Sequence, residues 1–504
     1  MLIERLAAVA FIVAGQIIIP AGWSGTPDVP GGNRAAPAGA ILSPSSSSIV
    51  ATWNTLGESI ASFSCGTKAG SYEKQAVDNG RTAATLTRQS IVAGLQPSTK
   101  YYCQIISSDG FGSTTSILSS TTAAPEPSTP IKGISLGTIN TYNGLNPNNH
   151  MNGDTFYNCK SNDGITYLTT DDTQGWQENG YPAKHGSPLS LVKLTSESPL
   201  AGVTVNPFGA YGRDSIGTGD DLRTQKNSGL FCMAADIYMS VGRQLNKSTG
   251  RMGDRTAYSQ VSGQIILSRD KGRSWNNFQA PKIFNPPGSP TTPPSASMFG
   301  TTPTNMASAT FVMYCADDGT LGYLTPCNRH DNADAYVYLM ANDGYWDSGN
   351  ALYLARVPRS RIAALRASDY EYYRGGNGSF DENWTTTQTH ASAVISNPGK
   401  LGEPNVQFVP ALNRYLLLTF CYPQGLSLAD PHAEHSLWLA YEAPHPWGPW
   451  TLVQSIDWPT EGYYNPVILN DTVYTGMTPL IMFTGNFWTS GTYQMYLTSM
   501  SILH

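Results

Sequence analysis

A chain of 504 residues is long enough for more than one domain. Only 13% of its residues are charged, whereas Gly (49), Pro (34) and Tyr (27) are abundant, which favours an exported all-β protein. The formal net charge of −6, without a stripe of Lys or Arg, tells against nucleic acid as a partner because little would neutralise the phosphates.

The first 25 residues have the pattern of a secretory signal peptide. Arg5 supplies the positive end, residues 6–19 the apolar core, and residues 20–22 a small-residue exit. An uncleaved anchor is the alternative, but an apolar stretch interrupted by Gln16 is short for a membrane span. We therefore expect a secreted or cell-surface protein whose mature chain has no membrane span.

Seven cysteines fit an exported chain, and no C-x-x-C pair points to a zinc site or a thioredoxin-type motif. The odd number leaves at least one thiol free unless it pairs with another chain. The cysteines are Cys65, Cys103, Cys159, Cys232, Cys315, Cys327 and Cys421.

Residues 39–122 predict a first domain. It has Trp53 on an early strand and the run Leu95-x-Pro-x-Thr-x-Tyr101 before a late one. These residues resemble the fibronectin type III module, a seven-stranded β-sandwich. The resemblance implies a spacer without catalytic activity, and its topology, in which the strands are neighbours, implies a disulfide between Cys65 and Cys103. The same module precedes purple acid phosphatases, but the metal-binding motifs of those enzymes are absent.

A Ser/Thr/Pro linker at residues 123–130 separates this domain from residues 131–504. The second part alternates strand signals with turns in groups of about four strands, which is typical of the blades of a β-propeller. Five blades fit the length, and four or six are not excluded. The groups begin near Asp154, Ser228, Ala309, Leu401 and Tyr464.

The stretch Leu401–Phe420 is the best-defined hairpin. Its alternation predicts that Val406, Phe408, Tyr415 and Leu417 face one packed layer.

The motif Ser268–Trp275 matches the Asp box, S-x-D-x-G-x-[ST]-W, which closes outer hairpins of propellers. We interpret Asp270 and Trp275 as structural. The arginine-containing motif required for sialidase chemistry is absent.

Several motifs occur together between Tyr336 and Trp450. They are Tyr336-Val-Tyr-Leu-Met, Leu352-Tyr-Leu-Ala-Arg-Val-Pro358, Tyr370-Glu-Tyr-Tyr373, Trp384, Gly402-Glu403, Arg414-Tyr-Leu-Leu and Trp447-Gly-Pro-Trp450. The stretch resembles the domain-of-unknown-function family 4185, and more remotely the five-bladed arabinanases of family 43. The first family includes endo-D-arabinanases (glycoside hydrolase family 183). The resemblance implies a five-bladed propeller that acts on a furanose-rich polysaccharide.

The starts of the innermost propeller strands converge at one mouth. The strand–turn plan places Asp154, Asp220 or Asp221, a residue near Asn305, Glu403 and Asn465 at these positions. Carboxylates that meet there suit glycoside hydrolysis, which needs one proton donor and one base or nucleophile. Each could instead cap a turn, and Asp171 and Asp172 are rivals to Asp154.

We predict Glu403 as the general acid, Asp154 as the base or nucleophile, and Asp221 as the residue that tunes the acid, with Asp220 an equal alternative. The predicted substrate-binding residues are loop aromatics, a histidine and an amide, although such aromatics can also simply pack on the blades. They are Trp176, Tyr345, Trp346, His390, Asn465 and Trp488.

The resulting hypothesis is a secreted, monomeric glycosidase of arabinan or arabinogalactan type with a polysaccharide substrate. No cofactor and no catalytic metal are expected, and a structural calcium in the channel is left open. The alternative is a propeller that binds glycans without cleaving them, as a lectin or surface adhesin.

Overall fold

The computed structural model describes most of the chain from residue 36 onward. The described residues are 36–44, 48–76, 85–93, 95–108, 113–124, 128–141, 153–173, 187–197, 200–207, 223–233, 235–245, 260–273, 275, 298–299, 305–313, 335–378, 381–423, 435–470, 478–485 and 494–504. The predicted signal peptide lies outside them.

The N-terminal unit consists of six described strands: β1 Ala38–Pro44, β2 Ser48–Gly66, β3 Lys74–Gln75, β4 Thr85–Ala93, β5 Lys100–Ser108 and β6 Ser113–Thr121. The first half of β2 pairs with β1 and β4, and its second half pairs with β3 and β5. The long strand therefore passes from one sheet into the other, and the buried core includes Trp53, Phe63 and Ile105.

One feature of this unit was predicted from the sequence, and a second is typical of β-sandwiches. Cys65 and Cys103 lie directly opposite each other in the β2–β5 register and form a disulfide, as predicted. The hydroxyl of Tyr101 accepts a hydrogen bond from the N–H of Gln96 at 2.9 Å, a corner contact found in immunoglobulin-like sandwiches. The assignment to fibronectin type III itself stays a prediction.

The second unit is also built from β-strands, with short 3-10 turns between some of them. Its strands are β7 Gly133–Leu136, β8 Asn140–Thr141, β9 Asn158–Lys160, β10 Thr166–Thr173, β11 Ser187–Glu197, β12 Leu200–Pro207, β13 Arg223–Met233, β14 Asp236–Leu245, β15 Gln260–Ser268, β16 Thr310–Met313, β17 Tyr336–Asn342, β18 Gly349–Pro358, β19 Glu371–Tyr373, β20 Trp384–Thr385, β21 Ala393–Leu401, β22 Asn405–Val409, β23 Arg414–Cys421, β24 Ser436–Ala443, β25 Thr451–Trp458, β26 Tyr464–Ile468, β27 Leu480–Thr484 and β28 Met495–Leu503.

These strands form five successive antiparallel groups among the described residues. They are β9–β12, β13–β15, β16–β21, β22–β25 and β26–β28. Strand β7, from the start of the unit, pairs with β28 at its end, so the last group contains both ends of the chain segment. This pairing closes the unit in the way that propellers avoid open sheet edges.

Contacts between the groups run in the same cyclic order. Hydrogen bonds or strand pairs join each group to the next: Asn227 to Asp171, Ser228 to Ala309, Val312 alongside Val406 in a parallel pair, Ile468 to Asn405, and Asn158 to Ile468. The all-β, propeller-type class is confirmed, whereas the exact number of blades and the domain boundaries stay predictions.

The hairpin β22–β23 packs on both faces. Val406, Phe408, Tyr415 and Leu417 belong to one buried cluster, as their alternation predicts. The residues of opposite parity, such as Leu416, belong to another. A strand inside a stack of sheets has a neighbour on each side, so both faces are buried.

The N-terminal unit rests against the second unit. The N–H of Thr129 in the linker segment donates to the carbonyl of Leu412 at 2.9 Å. Val50 and Ile91 share a buried apolar cluster with residues of the third and fourth groups, such as Tyr338. Within the described residues, no helix is long and apolar enough to cross a membrane.

The Asp-box hairpin forms after β15. The hydroxyl of Ser268 donates to the Asp270 carboxylate at 2.8 Å and accepts from the N–H of Gly272 at 2.7 Å. Trp275 packs against the main core cluster. These contacts support the structural interpretation of the motif.

Candidate active site

Glu403 lies two residues before the first strand of the fourth group, β22, and is 2% exposed. Its N–H donates to the carbonyl of Trp346 at 2.9 Å, and the hydroxyl of Ser308 donates to Oε1 at 2.6 Å. A Cβ on the preceding Gly402 would lie 2.5 Å from the carbonyl oxygen of Phe420, so glycine is needed at this close approach. The carboxylate is thus held between the third and fourth groups.

Asp154 precedes the first group and is 7% exposed. Its Oδ2 accepts a hydrogen bond from the Tyr464 hydroxyl at 2.8 Å, and its Oδ1 accepts one from Thr155 at 3.3 Å. Thr155 has a φ of 56°, a strained conformation for a β-branched residue. Strain of this kind persists where the surrounding structure enforces it, and it clusters at functional sites.

Asp171, at 1% exposure, lies beside Asp154, and the two backbones exchange hydrogen bonds of 2.9 and 3.1 Å. Its carboxylate accepts from the N–H of Asn227 at 3.2 Å and from Nδ2 at 2.8 Å. Nδ2 of Asn227 also donates to Thr155 Oγ1 at 3.0 Å. Asp171 therefore joins the first and second groups and supports the strained turn that carries Asp154.

Tyr157 is buried and lies three residues after Asp154. Its hydroxyl donates to the carbonyl of Pro404, the residue after Glu403, at 3.1 Å. Burial raises its pKa well above the ordinary value, and the charges of Glu403, Asp171 and Asp154 raise it further. The hydrogen bond to Pro404 joins the segment after Asp154 to the residue after Glu403. That the two carboxylates share one mouth stays a prediction.

Trp346, predicted as a loop aromatic for sugar binding, is buried in a cluster of rings. Its indole meets Phe420 and Tyr464 edge-on, with centroids 5.4 Å away in each case. Tyr422 lies beside it at 6.3 Å. The ring therefore packs within the site, next to the tyrosine that binds Asp154.

Asn465 is 1% exposed and has a φ of 50°. Neither polar atom of its side chain has a hydrogen-bond partner among the described residues. A buried amide without partners loses free energy of about 1–3 kcal/mol. Such an amide in a strained backbone, directly after Tyr464, is a candidate ligand-binding group.

The remaining predicted residues have different outcomes. Asp221 with its alternative Asp220, Trp176 and Trp488 lie outside the described residues. Tyr345 is half-buried, and its carbonyl accepts from the side chain of Asn342.

Two residues near Asn305 make different contacts. Asn305 itself exchanges hydrogen bonds with Gln388, in the 3-10 turn that ends at the exposed His390. Three residues later, Ser308 binds Glu403. Ser308 is therefore the residue near Asn305 that contacts Glu403, and its place in a funnel stays a prediction.

Four residues of the proposed site were not predicted from the sequence: Tyr157, Tyr464, Ser308 and Asn227. Tyr157 follows Asp154 by three residues, and Tyr464 directly precedes Asn465. A tyrosine close in sequence to Asp154 and to Asn465 was the signal that could have identified Tyr157 and Tyr464. Nothing local in the sequence points to Ser308 or Asn227, because each binds a residue far away along the chain.

In the described part of the chain, no group of three His, Cys, Asp or Glu residues is placed to hold a metal ion. The three carboxylates of the site do not form such a group. Whether the channel holds a cation stays an open prediction.

Solved structures offer weak likenesses to the chain. It is similar to CoXyl43, a GH43 beta-xylosidase/alpha-arabinofuranosidase from a compost microbial metagenome, at 9% identity over 74% of this chain and 96% of that one, with a TM-score of 0.33. It is similar to Trypanosoma rangeli sialidase at 8% identity over 92% of this chain and 55% of that one, with a TM-score of 0.31, and so spans about half the sialidase's length. Bacillus subtilis levansucrase is similar at 11% identity over 70% of this chain and 88% of that one, with a TM-score of 0.33.

Likenesses of this size carry no argument about substrate or mechanism. No curated protein sequence is significantly similar to the chain. A family profile does match, over residues 228–498, which is more than half of the chain and extends the stretch that carried the resemblance. The chain belongs to the family described as Domain of unknown function (DUF4185).

Proposed function

We propose that this protein is a glycoside hydrolase in which Glu403 is the general acid and Asp154 is the base or nucleophile. The observation that carries the proposal is the hydrogen bond from the Tyr157 hydroxyl to the carbonyl of Pro404 at 3.1 Å, which joins the segment after Asp154 to the residue after Glu403. Glycoside hydrolysis needs two carboxyl groups on opposite sides of the scissile bond. Asp154 and Glu403, from the first and fourth groups, supply such a pair.

The hydrogen bonds of the two carboxylates suit these different roles. The Ser308 hydroxyl can donate to an ionised Glu403 or rotate to accept from a protonated one, so the acid keeps its partner as it loses and regains a proton. Asp154 accepts from two hydroxyl groups, those of Tyr464 and Thr155, and such donors stabilise the ionised form. Carboxyl groups in unlike environments take unlike catalytic roles.

Asp171 and Asn465 complete the proposed site. The Asp171 carboxylate accepts hydrogen bonds from Asn227 and stabilises the turn around Asp154. The buried amide of Asn465 binds sugar hydroxyls, which offer both donors and acceptors to its atoms without partners. A tuning role for Asp221 and sugar contacts from Trp176 and Trp488 stay predictions outside the described residues.

The substrate class we propose is a furanose-rich polysaccharide of arabinan or arabinogalactan type, after the resemblance of the Tyr336–Trp450 stretch. Export is supported by the disulfides Cys65–Cys103 and Cys159–Cys232, because such bonds persist mainly in oxidising compartments. A monomer acting outside the cell fits this proposal.

The test is to screen the purified protein against arabinan, arabinogalactan and galactan with product analysis, and then to compare three variants. Glu403→Gln and Asp154→Asn should each lower turnover by about 10²–10⁴-fold, because each removes one acid–base step. An activated substrate with a good leaving group should restore much of the loss in Glu403→Gln and little in Asp154→Asn. Glu461→Gln, at an exposed glutamate, is the matched control and should behave as the parent.

Two outcomes would contradict the proposal. Near-parental turnover in both site variants would show that the carboxylates are misassigned. A parent protein that binds these glycans but cleaves none would favour the glycan-binding alternative.

A further inference from the structure

Two buried rings connect the proposed acid to the proposed base. The carbonyl of Trp346 accepts the N–H of Glu403 at 2.9 Å. The indole of Trp346 meets the ring of Tyr464 edge-on, with centroids 5.4 Å apart and an interplanar angle of 78°. The hydroxyl of Tyr464 donates to Oδ2 of Asp154 at 2.8 Å. A continuous path of contacts therefore runs from the backbone of one carboxylate residue to the side chain of the other.

The path is enclosed by further buried rings. Phe420 packs against both Trp346 and Tyr464, at 5.4 and 5.7 Å, and Tyr422 packs against the same pair at 6.3 and 6.2 Å. All four rings are buried, and close-packed interiors leave little room for a ring to shift. The carbonyl of Phe420 also accepts the N–H of Gly402, beside Glu403. The rings thus hold both ends of the path.

We propose that Trp346 and Tyr464 are positioning residues, which set the place of Asp154 relative to Glu403 and keep the Asp154 carboxylate oriented. This inference rests on the proposed hydrolase function and deepens it. The separation of the two carboxyl groups decides whether a water molecule fits between carboxylate and sugar. Productive geometry tolerates errors of about 0.5 Å, so a rigid connection between the two groups matters.

The geometric part of the inference is tested without any substrate. Tyr464→Phe keeps the ring and removes only the hydroxyl, and Asp154→Asn removes the charge. In a double-mutant cycle on the unfolding equilibrium constant, the two changes should be coupled by about tenfold or more, because hydrogen bonds to charged groups are among the stronger ones. Effects that add to within about twofold would overturn the inference, since independent sites behave in that way.

The control removes a buried phenol hydroxyl elsewhere. Tyr370 is fully buried, and its hydroxyl has no hydrogen-bond partner among the described residues. Tyr370→Phe should show no coupling to Asp154→Asn and should leave turnover unchanged.

The functional part of the inference is tested by the pH profile of kcat/KM. Tyr464→Phe removes a donor to the ionised carboxylate, so the acidic limb of the profile should move to higher pH. The other titratable groups of the described site, Tyr157, Asp171 and Glu403, are unchanged by this substitution. The kcat value should fall about tenfold or more while KM changes little, because the Tyr464 hydroxyl donates to the Asp154 carboxylate.

Trp346→Phe provides a second variant. The smaller ring loses the edge contact with Tyr464, so kcat should fall while the acidic limb stays near its parental position. A merely structural role for Tyr464 would leave the acidic limb unmoved and would overturn the inference.

The two failures are distinguishable. If the parent cleaves no glycan, the proposed function fails, and the stability cycle still decides whether Tyr464 and Asp154 are coupled. If the parent is active but Tyr464→Phe keeps the parental pH profile and shows no coupling, the positioning role alone is wrong.

Discussion

Removing the Cys159–Cys232 disulfide should destabilise the second unit and impair the site at the same time. The bond fastens β9 of the first group to β13 of the second across a sequence separation of 73. In the chain-entropy model, a closed loop of this length stabilises the fold by about 4.4 kcal/mol. We expect Cys159→Ala with Cys232→Ala to lower the free energy of unfolding by about that amount.

Removing this disulfide should also lower the turnover rate, because the two strands that it joins lie next to or contain residues of the proposed site. Tyr157 directly precedes β9, and Asn227, which binds Asp171, lies in β13. Loosening the two groups should weaken the contacts that hold Asp154, so turnover should fall by about tenfold or more even where the protein remains folded.

The matched control is the other disulfide. Cys65–Cys103 spans 38 residues, and the same model gives it about 3.9 kcal/mol. Removing it should destabilise the N-terminal unit by a similar amount but leave turnover within a few-fold of the parent, because no described residue of that unit belongs to the proposed site.

The assay is urea unfolding of the parent and of both double-alanine variants, monitored by tryptophan fluorescence. The turnover rate of each protein is measured alongside. A Cys159/Cys232 variant that unfolds at the parental midpoint would refute the stability argument. A Cys65/Cys103 variant that loses turnover as strongly as the first would refute the separation of the two units in function.

Two further predictions concern stability. Arg356 is 1% exposed, its guanidinium lies 4.0 and 4.3 Å from the ring centroids of Tyr336 and Trp384, and it forms an ion pair with Glu371 at 2.7 Å. Arg356→Ala should therefore lower the free energy of unfolding, measured by chemical denaturation, by about 3 kcal/mol. Arg356→Lys should not restore this stability, because an ammonium group lacks the planar fork and the stacking face of a guanidinium, and full rescue by Lys would contradict the prediction. Burial raises the pKa of the Cys421 thiol, like that of Tyr372, to about 12. Because the folded values exceed the unfolded ones, the stability that these groups contribute is complete below about pH 8 and is lost as the pH rises toward 12. Unfolding free energies measured between pH 7 and 11 should fall accordingly, and rapid alkylation of native Cys421 at pH 8 would contradict the buried thiol.

Most of the secondary structure of the second unit could be predicted from the sequence, because the alternation of apolar and polar residues indicates which face of a strand is buried. The hairpin after Glu403 is the clearest example: Val406 and Phe408 were assigned to one layer, and they share one cluster with Tyr415 and Leu417. The Cys65–Cys103 pairing also followed from a resemblance that fixes which strands are neighbours. These inferences depend on local pattern or on a known topology.

The ranking of the carboxylates was harder to infer. Asp171 was weighed as a rival to Asp154, yet the two lie side by side, one bound to Asn227 and the other to Tyr464. A pattern of single residues cannot show that two candidates belong to one site. The loop aromatic Trp346 was assigned to sugar binding, and its burial among Phe420, Tyr422 and Tyr464 came only with the fold.

By itself, the sequence determined the all-β class and most of the strands. It also predicted two units, with Glu403 and Asp154 as polar positions ahead of their strand groups. Tertiary structure alone decided which partners those residues meet. Tyr464 is 310 residues from Asp154, and Ser308 is 95 residues from Glu403. Such contacts exist only once the sheet groups pack in cyclic order and β7 joins β28, because closing the ring brings the starts of distant strands to one place.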